Sequence, residues 1–155
     1  MEYDVIVVGG GASGLMAAVT AAGRGKRVLL LEKMDQAGRK LRITGKGRCN
    51  LTNTSPLRDT LPHIGSDARF LRNAYGRFFN QQLMDFFEQR GVALTVERGN
   101  RVFPASGKAL DIFLALMHEL EQNSNVTIRK NTTVKSMTKT GLYHRYAKNR
   151  LGYPT

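Results

Sequence analysis

Tryptophan is absent from the 155 residues, cysteine occurs once and histidine three times. A lone thiol, Cys49, rules out an internal disulfide framework and fits a reducing cytoplasm. His63, His118 and His144 are too widely spaced to suggest a cluster of metal ligands. Acids are scarce as well: 12 Asp and Glu stand against 24 Lys and Arg, a formal charge of +12. Such an excess favours polyanionic surroundings, whether nucleic acid, anionic lipid or a phosphate-bearing cofactor, and does not choose among them. The compositional bias of disorder is missing too. With 41% hydrophobic and 23% charged residues, the chain reads as an ordinary globular domain or part of one. Glycine is the main excess, with 16 residues.

Charge is also missing from Val5 to Ala22, a stretch of 18 residues. That length borders on the roughly 18 residues at which a membrane span becomes a candidate. The internal pattern argues against a span, and the acidic start with Glu2 and Asp4 argues against a signal peptide. Val5 to Val8 is a short β-branched run that stops at three glycines, as a buried parallel strand followed by a tight turn does. Ser13 to Ala22 reads as a helix closed by Gly23 and Gly25, and Arg27 to Leu31 as a second strand. No membrane association is expected.

Gly9-x-Gly11-x-x-Gly14 thus sits at a strand-to-helix junction, and Glu32 ends the second strand. Gly9 permits the turn, Gly11 leaves room for a pyrophosphate, and Gly14 lets the helix approach the sheet. Amides at the helix N-terminus bind phosphate, while the Glu32 carboxylate accepts ribose hydroxyls and repels a 2′-phosphate. An unphosphorylated ADP-ribose moiety, in FAD or NAD, is expected.

From Gly38 the chain reads GRKLRITGKGRCNLTN, with Arg39, Lys40, Arg42, Lys46 and Arg48 and no acid. Gly47 stands where a Walker loop needs Ser or Thr, so nucleotide hydrolysis is excluded. Two readings remain: a solvated or RNA-contacting loop, or a second cradle for the far half of a dinucleotide. Its start six residues after Glu32, at the carboxyl end of a strand, favours the cofactor.

The stretches GGGASGLMAA, LLEKMDQAGRKLRITGKGRCNLTN and RVFPASGKA resemble a bacterial family of FAD-dependent oxidoreductases, the aminoacetone-oxidase or bile-acid-reductase-like flavoproteins, which includes ribosomal RNA dihydrouridine synthases. The resemblance runs from residue 1 to about 138. It implies an α/β, three-layer Rossmann-like FAD-binding domain with a parallel sheet and a small β element. Gly9, Gly11, Ala12, Ser13 and Gly14 would meet the pyrophosphate, and Glu32, with Lys33 beside it, the adenosine ribose. Arg39, Lys40, Thr44 and Gly45 would continue toward the flavin, and the backbone of Val134 would contact adenine. NADH or NADPH is the implied reductant, and a carbon-carbon double bond, such as that of uridine in ribosomal RNA or of a small unsaturated substrate, the implied target. Cys49, between Arg48 and Asn50, is the candidate proton donor if positive charge depresses its pKa, and a packing residue otherwise. An NAD-dependent dehydrogenase and a non-catalytic nucleotide- or RNA-binding fragment are the alternatives.

In the middle of the chain, residues 67–76 and 80–90 read as helices, the second burying Leu83, Phe86, Phe87 and Arg90. Phe78, Phe79, Phe86 and Phe87 read as core rather than as base-stacking platforms for RNA. Strands are expected at 93–96 and 101–103 around a turn, then a helix over 106–121 packing Leu110, Phe113, Leu114 and Met117. Strands at 126–129 and 132–137 complete the pattern. Residues 139–155 are basic, without acids or apolar period, and depart from the family, as a frameshift or truncation would produce.

Overall fold

The computed structural model describes residues 2–65 and 68–136. Asp67 at the expected start of one helix, Met137 at the end of the last expected strand, His144 and the basic segment 139–155 lie outside the described residues. Among the described residues, six strands occur in the order β1 (Val5–Val8), β2 (Val28–Leu31), β3 (Thr52–Asn53), β4 (Leu94–Glu97), β5 (Arg101–Pro104) and β6 (Val126–Arg129). The α-helices are α1 (Ala12–Ala22), α2 (Arg39–Ile43), α3 (Leu57–Thr60), α4 (Ala68–Arg77), α5 (Asn80–Glu88) and α6 (Ala109–Glu121). The described residues fall into two compact units, 2–41 with 116–136, and 42–65 with 68–115.

The first unit is built on a parallel sheet of order β1-β2-β6, against which α1 packs. Val5 pairs with Val28 and Val28 with Val126, so β2 is the central strand. Its Val28, Leu29, Leu30 and Leu31 are all buried, the reason it reads as an unbroken apolar run instead of an alternating one. Each buried leucine contributes roughly 1.5–3 kcal/mol of transfer free energy. At the sheet's start Asp4 ties the strands: its carboxylate accepts Arg27 N–H at 2.7 Å and the guanidinium at 3.2 Å. At the other end Gly9 N–H donates to the Leu31 carbonyl at 2.7 Å, bringing the glycine turn to the end of β2.

The second unit carries an antiparallel sheet of order β3-β5-β4. Glu97 pairs with Arg101, and Gly99 and Asn100 between them take left-handed φ of 78° and 60°. Two asparagines stitch this unit: Asn53 donates to the Gly99 carbonyl, and Asn80, at the start of α5, donates to the carbonyls of Asn53 and Ser55. The aromatic residues of α4 and α5 divide. Phe87 is buried, Phe86 lies under the Arg90 guanidinium at 3.7 Å, and Phe79 packs on Tyr75 at 5.1 Å. Phe78 is 40% exposed and Phe70 84% exposed.

Three expectations need correction. The strand expected over 132–137 is, in its described part, a single bridge residue at Val134, because the segment turns at Asn131, which has φ 55°. The helix expected from Ser106 starts at Ala109: Ser106 Oγ accepts the Lys108 N–H at 3.2 Å and donates to Asp111, forming a turn first. Its buried stripe is Ala109, Ile112, Leu116, Met117 and Leu120, whereas Leu110 and Leu114 are exposed. Apolar residues surround this helix, and periodicity alone does not choose between its faces.

Candidate functional site

Most of the residues expected at a cofactor in the first unit meet at the carboxyl ends of β1 and β2. A cavity of about 540 Å³ is lined there by Gly9–Gly11, the stretch from Leu31 to Met34, Gln36, Gly38–Lys40 and Thr132–Val134. This lies within the range of roughly 300–1,000 Å³ usual for small-molecule sites. Gly9 takes φ +98°, closed to most side chains. A Cβ on Gly14 would stand 1.9 Å from the Gly9 carbonyl oxygen, so only glycine lets α1 approach the strand this closely. A Cβ on Gly11 would meet nothing within 4 Å, which makes Gly11 the open side of the turn.

Gly11 is the N-cap of α1, with no side-chain cap and no acid in the first turn. The first helical bond runs from Leu15 N–H to the Gly11 carbonyl at 2.9 Å. The amides of Ala12, Ser13 and Gly14 therefore precede the helical ladder, where an anion is favoured by both hydrogen bonding and the helix dipole.

Glu32 is 8% exposed and holds two backbone amides: Gly10 N–H at 2.6 Å on Oε2 and Met34 N–H at 2.9 Å on Oε1. A buried carboxylate with two amide donors is compensated, and each oxygen keeps a further lone pair for a ligand hydroxyl. Its own peptide accepts the Thr132 N–H at 2.8 Å, and Met34 accepts the Asn131 N–H at 3.0 Å, which brings the 131–134 segment to the cavity. Lys33, Arg39 and Lys40 are exposed on the rim, with Arg39 only 3.9 Å from Asp35.

Of the residues expected at a cofactor, Gly9, Gly11, Glu32, Lys33, Arg39, Lys40 and Val134 line this cavity, and Ala12, Ser13 and Gly14 form the first turn of α1. Gly10, Gly38, Thr132 and Thr133 also line it, beyond the residues that the motif and the resemblance point to. The run of three glycines pointed to Gly10, whereas nothing local distinguishes the two threonines. Thr44, Gly45 and Cys49 belong to the second unit.

There the segment Thr44–Gly47 is a short 3-10 turn in which Gly45, Lys46 and Gly47 have φ of 57°, 58° and 82°. Cys49 follows at φ 57°, its N–H bonded to the Thr44 carbonyl at 3.0 Å. Arg48 forms an ion pair with Glu97 and lies 4.4 Å over the Phe103 ring. Cys49 is 2% exposed, and burial pushes its thiol pKa up. The expected depression by neighbouring positive charge is overturned: Arg48 is paired with Glu97, and desolvation penalises the thiolate. Among the described residues no group of His, Cys, Asp and Glu could hold a metal ion, and no helix is long and apolar enough to cross a membrane.

The family profile described as the HI0933-like protein Rossmann domain matches residues 3–150. Among curated proteins, the chain is 36% identical over 118 residues to the 3-dehydro-bile acid delta(4,6)-reductase of Clostridium scindens, covering 75% of this chain and 28% of that protein. It is 31% identical over 138 residues to the ribosomal RNA dihydrouridine synthase of Escherichia coli, covering 89% and 34%. The chain thus spans about a third of the length of these relatives. Among solved structures, the 3-ketosteroid-delta4-(5alpha)-dehydrogenase of Rhodococcus jostii superposes with a TM-score of 0.62 at 16% identity, covering 88% of this chain and 39% of that one. The THI4 protein of Thermovibrio ammonificans superposes with a TM-score of 0.59 at 16% identity, covering 93% and 44%. At such identities the structural likeness concerns the fold.

Proposed function

The chain belongs to the HI0933-like Rossmann family of FAD-dependent oxidoreductases, and from that premise we propose that residues 1–138 are its FAD-binding part, acting in the cytoplasm. The residues fit the ADP half of that cofactor: Gly9 turns the chain at a left-handed φ, a Cβ on Gly14 would strike its carbonyl, Gly11 leaves one side open, and Glu32 stands at the end of β2. That glycine turn beside Glu32, in a cavity of about 540 Å³, is the observation that carries the reading.

In the proposed arrangement, the amides of Gly11 through Gly14 hold the pyrophosphate, Glu32 accepts the ribose hydroxyls, and the Val134 backbone meets adenine. The apolar Val8, Leu31 and Met34 would exclude water from the base. Glu32 disfavours a phosphate on the 2′ position by like-charge repulsion. Lys33, Arg39, Lys40, Thr44 and Gly45 are assigned to the cofactor from the family resemblance. FAD supplies hydride transfer when bound, so the protein's share is positioning, exclusion of water and delivery of a proton.

NADH or NADPH as reductant and a carbon-carbon double bond as target are the proposed reaction. Cys49 carries its proton at neutral pH, the state a proton donor needs, while its burial equally suits a packing role. Turnover of a Cys49→Ser variant separates the two. Of the substrate classes, RNA is favoured by α4, where Phe70, Asn73, Ala74 and Arg77, spaced as one helical face, are all exposed and no acid intervenes. A small unsaturated substrate draws no support from that face.

Calorimetric titration with FAD, ADP and FMN tests the cradle. FAD and ADP are expected to compete for one site and FMN, which lacks the adenosine half, to be ignored. Binding of none of the three refutes the cofactor assignment. A colourless protein that still retains RNA with a steep salt dependence would instead support a non-catalytic RNA-binding role.

A further inference from the structure

We propose that Gly10, which the spaced fingerprint does not count, is the keystone of the cradle, and that Glu32 latches it shut before any ligand arrives. Gly10 is hooked on both sides of its residue. Its N–H donates to Glu32 Oε2 at 2.6 Å, and its carbonyl accepts the Gly38 N–H at 2.7 Å. The other carboxylate oxygen takes the Met34 N–H at 2.9 Å. Glu32 therefore joins the glycine turn to the chain leaving β2, and Gly10 joins the same turn to the residue preceding α2.

Space enforces the same assignment. A Cβ on Gly10 would lie 2.8 Å from Ala37 Cβ and 3.1 Å from Glu32 Oε2. Ala37 is 2% exposed and has no rotamer with which to retreat. Gly10 is thus required for contact within the protein, whereas Gly11, with nothing near its missing Cβ, is required only for what enters from outside. Because Arg39 and Lys40 follow Gly38 directly, the latch sets the start of their segment without help from a ligand, which lowers the ordering cost of binding. Glu32 is in this sense a positioning residue as well as a ligand contact. Only the ligand half of this inference rests on the FAD reading above.

The test uses the full chain without ligand, following amide exchange at Gly10 and Met34 and thermal unfolding, and then FAD titration. Glu32→Gln keeps the side chain's shape but replaces one acceptor oxygen with a donor, so one of the two amides loses its bond. Exchange at Gly10 or Met34 is expected to accelerate about tenfold, with Tm lower by about 2–4 °C. Gly10→Ala is expected to lose at least as much, and Glu32→Gln still decides the matter if that variant does not fold. Gly11→Ala is expected to leave exchange at Gly10 and Met34 unchanged, with Tm lowered only by the cost of alanine at the N-cap of α1, while weakening FAD about tenfold or more. Unchanged exchange and Tm in Glu32→Gln would overturn the latch. Loosened amides in Glu32→Gln, with no FAD binding by the unaltered protein, would uphold the latch and overturn the cofactor reading.

Discussion

Two glycine-rich stretches of this chain solve the same backbone problem in different ways. In the first, Gly9 to Gly14, the only left-handed φ belongs to a glycine, and Gly10 and Gly14 are glycines because neighbouring atoms leave no room for a Cβ. In the second, Lys46 and Cys49 adopt left-handed φ of 58° and 57° although each carries a side chain. A non-glycine residue in that region costs about 1–2 kcal/mol, and it persists when its surroundings over-determine it. Here the surroundings are the Arg48–Glu97 ion pair, the Phe103 ring and the Cys49 N–H bond to Thr44. The first stretch is shaped by contact and the second by restraint.

The contrast breaks most severely at Gly14. Gly14→Ala drives a methyl group against the Gly9 carbonyl, which belongs to backbone and cannot swing aside. A loss on the order of 3 kcal/mol is expected from chemical denaturation; an unaltered midpoint would show that α1 does not press on the turn. Lys46→Gly runs the other way. Releasing the left-handed strain should stabilise the protein by about 0.5–1 kcal/mol after the added chain entropy of glycine. Destabilisation instead would mean that the Lys46 side chain makes a contribution larger than its strain.

Cys49 sharpens the idea of restraint through its protonation. Its thiol is raised by burial, so the folded protein keeps the proton where the unfolded chain gives it up. Stability is therefore fully present below the thiol's ordinary range of about 8.5 and declines as pH rises through the folded value. Cys49→Ala should flatten that alkaline decline, and a disulfide reagent should modify native Cys49 much more slowly than the denatured chain at neutral pH. Equal rates would place the thiol at the surface. The smallest effect belongs to Asp4, whose carboxyl is held below its usual value first by the side-chain hydrogen bond from Arg27. Its contribution is present above the ordinary carboxylate range near about 3.9 and is lost as pH falls through the lowered value. Asp4→Asn should flatten that acid limb by lowering stability slightly above the carboxylate range, as at neutral pH, while leaving it unchanged in acid, where Asp4 is protonated.

Much of the first stretch was legible because each of its demands is local. A β-branched run, a turn that needs positive φ, a helix start without a cap and a terminal acid are all properties of neighbours in sequence. The hairpin at Gly99 and Asn100 was legible for the same reason. The burial of Cys49 was not, since a basic sequence neighbourhood suggested a depressed pKa while the pairing of Arg48 with Glu97 depends on residues 49 positions apart. The helix over 109–121 shows the same limit: its apolar residues are visible in the sequence, but their spacing turns Leu110 and Leu114 inward, whereas in the structure both are exposed.

By itself, then, the order of residues determined the strand, turn, helix, strand unit and the chemistry of its mouth, because hydrogen-bond geometry and steric freedom act over a few residues. Tertiary structure alone decided that Gly10 has no room for a side chain, that Thr132 and Thr133 join the cavity, and that Cys49 is shielded from water. Those outcomes follow from close packing and desolvation, which depend on atoms brought together from distant parts of the chain.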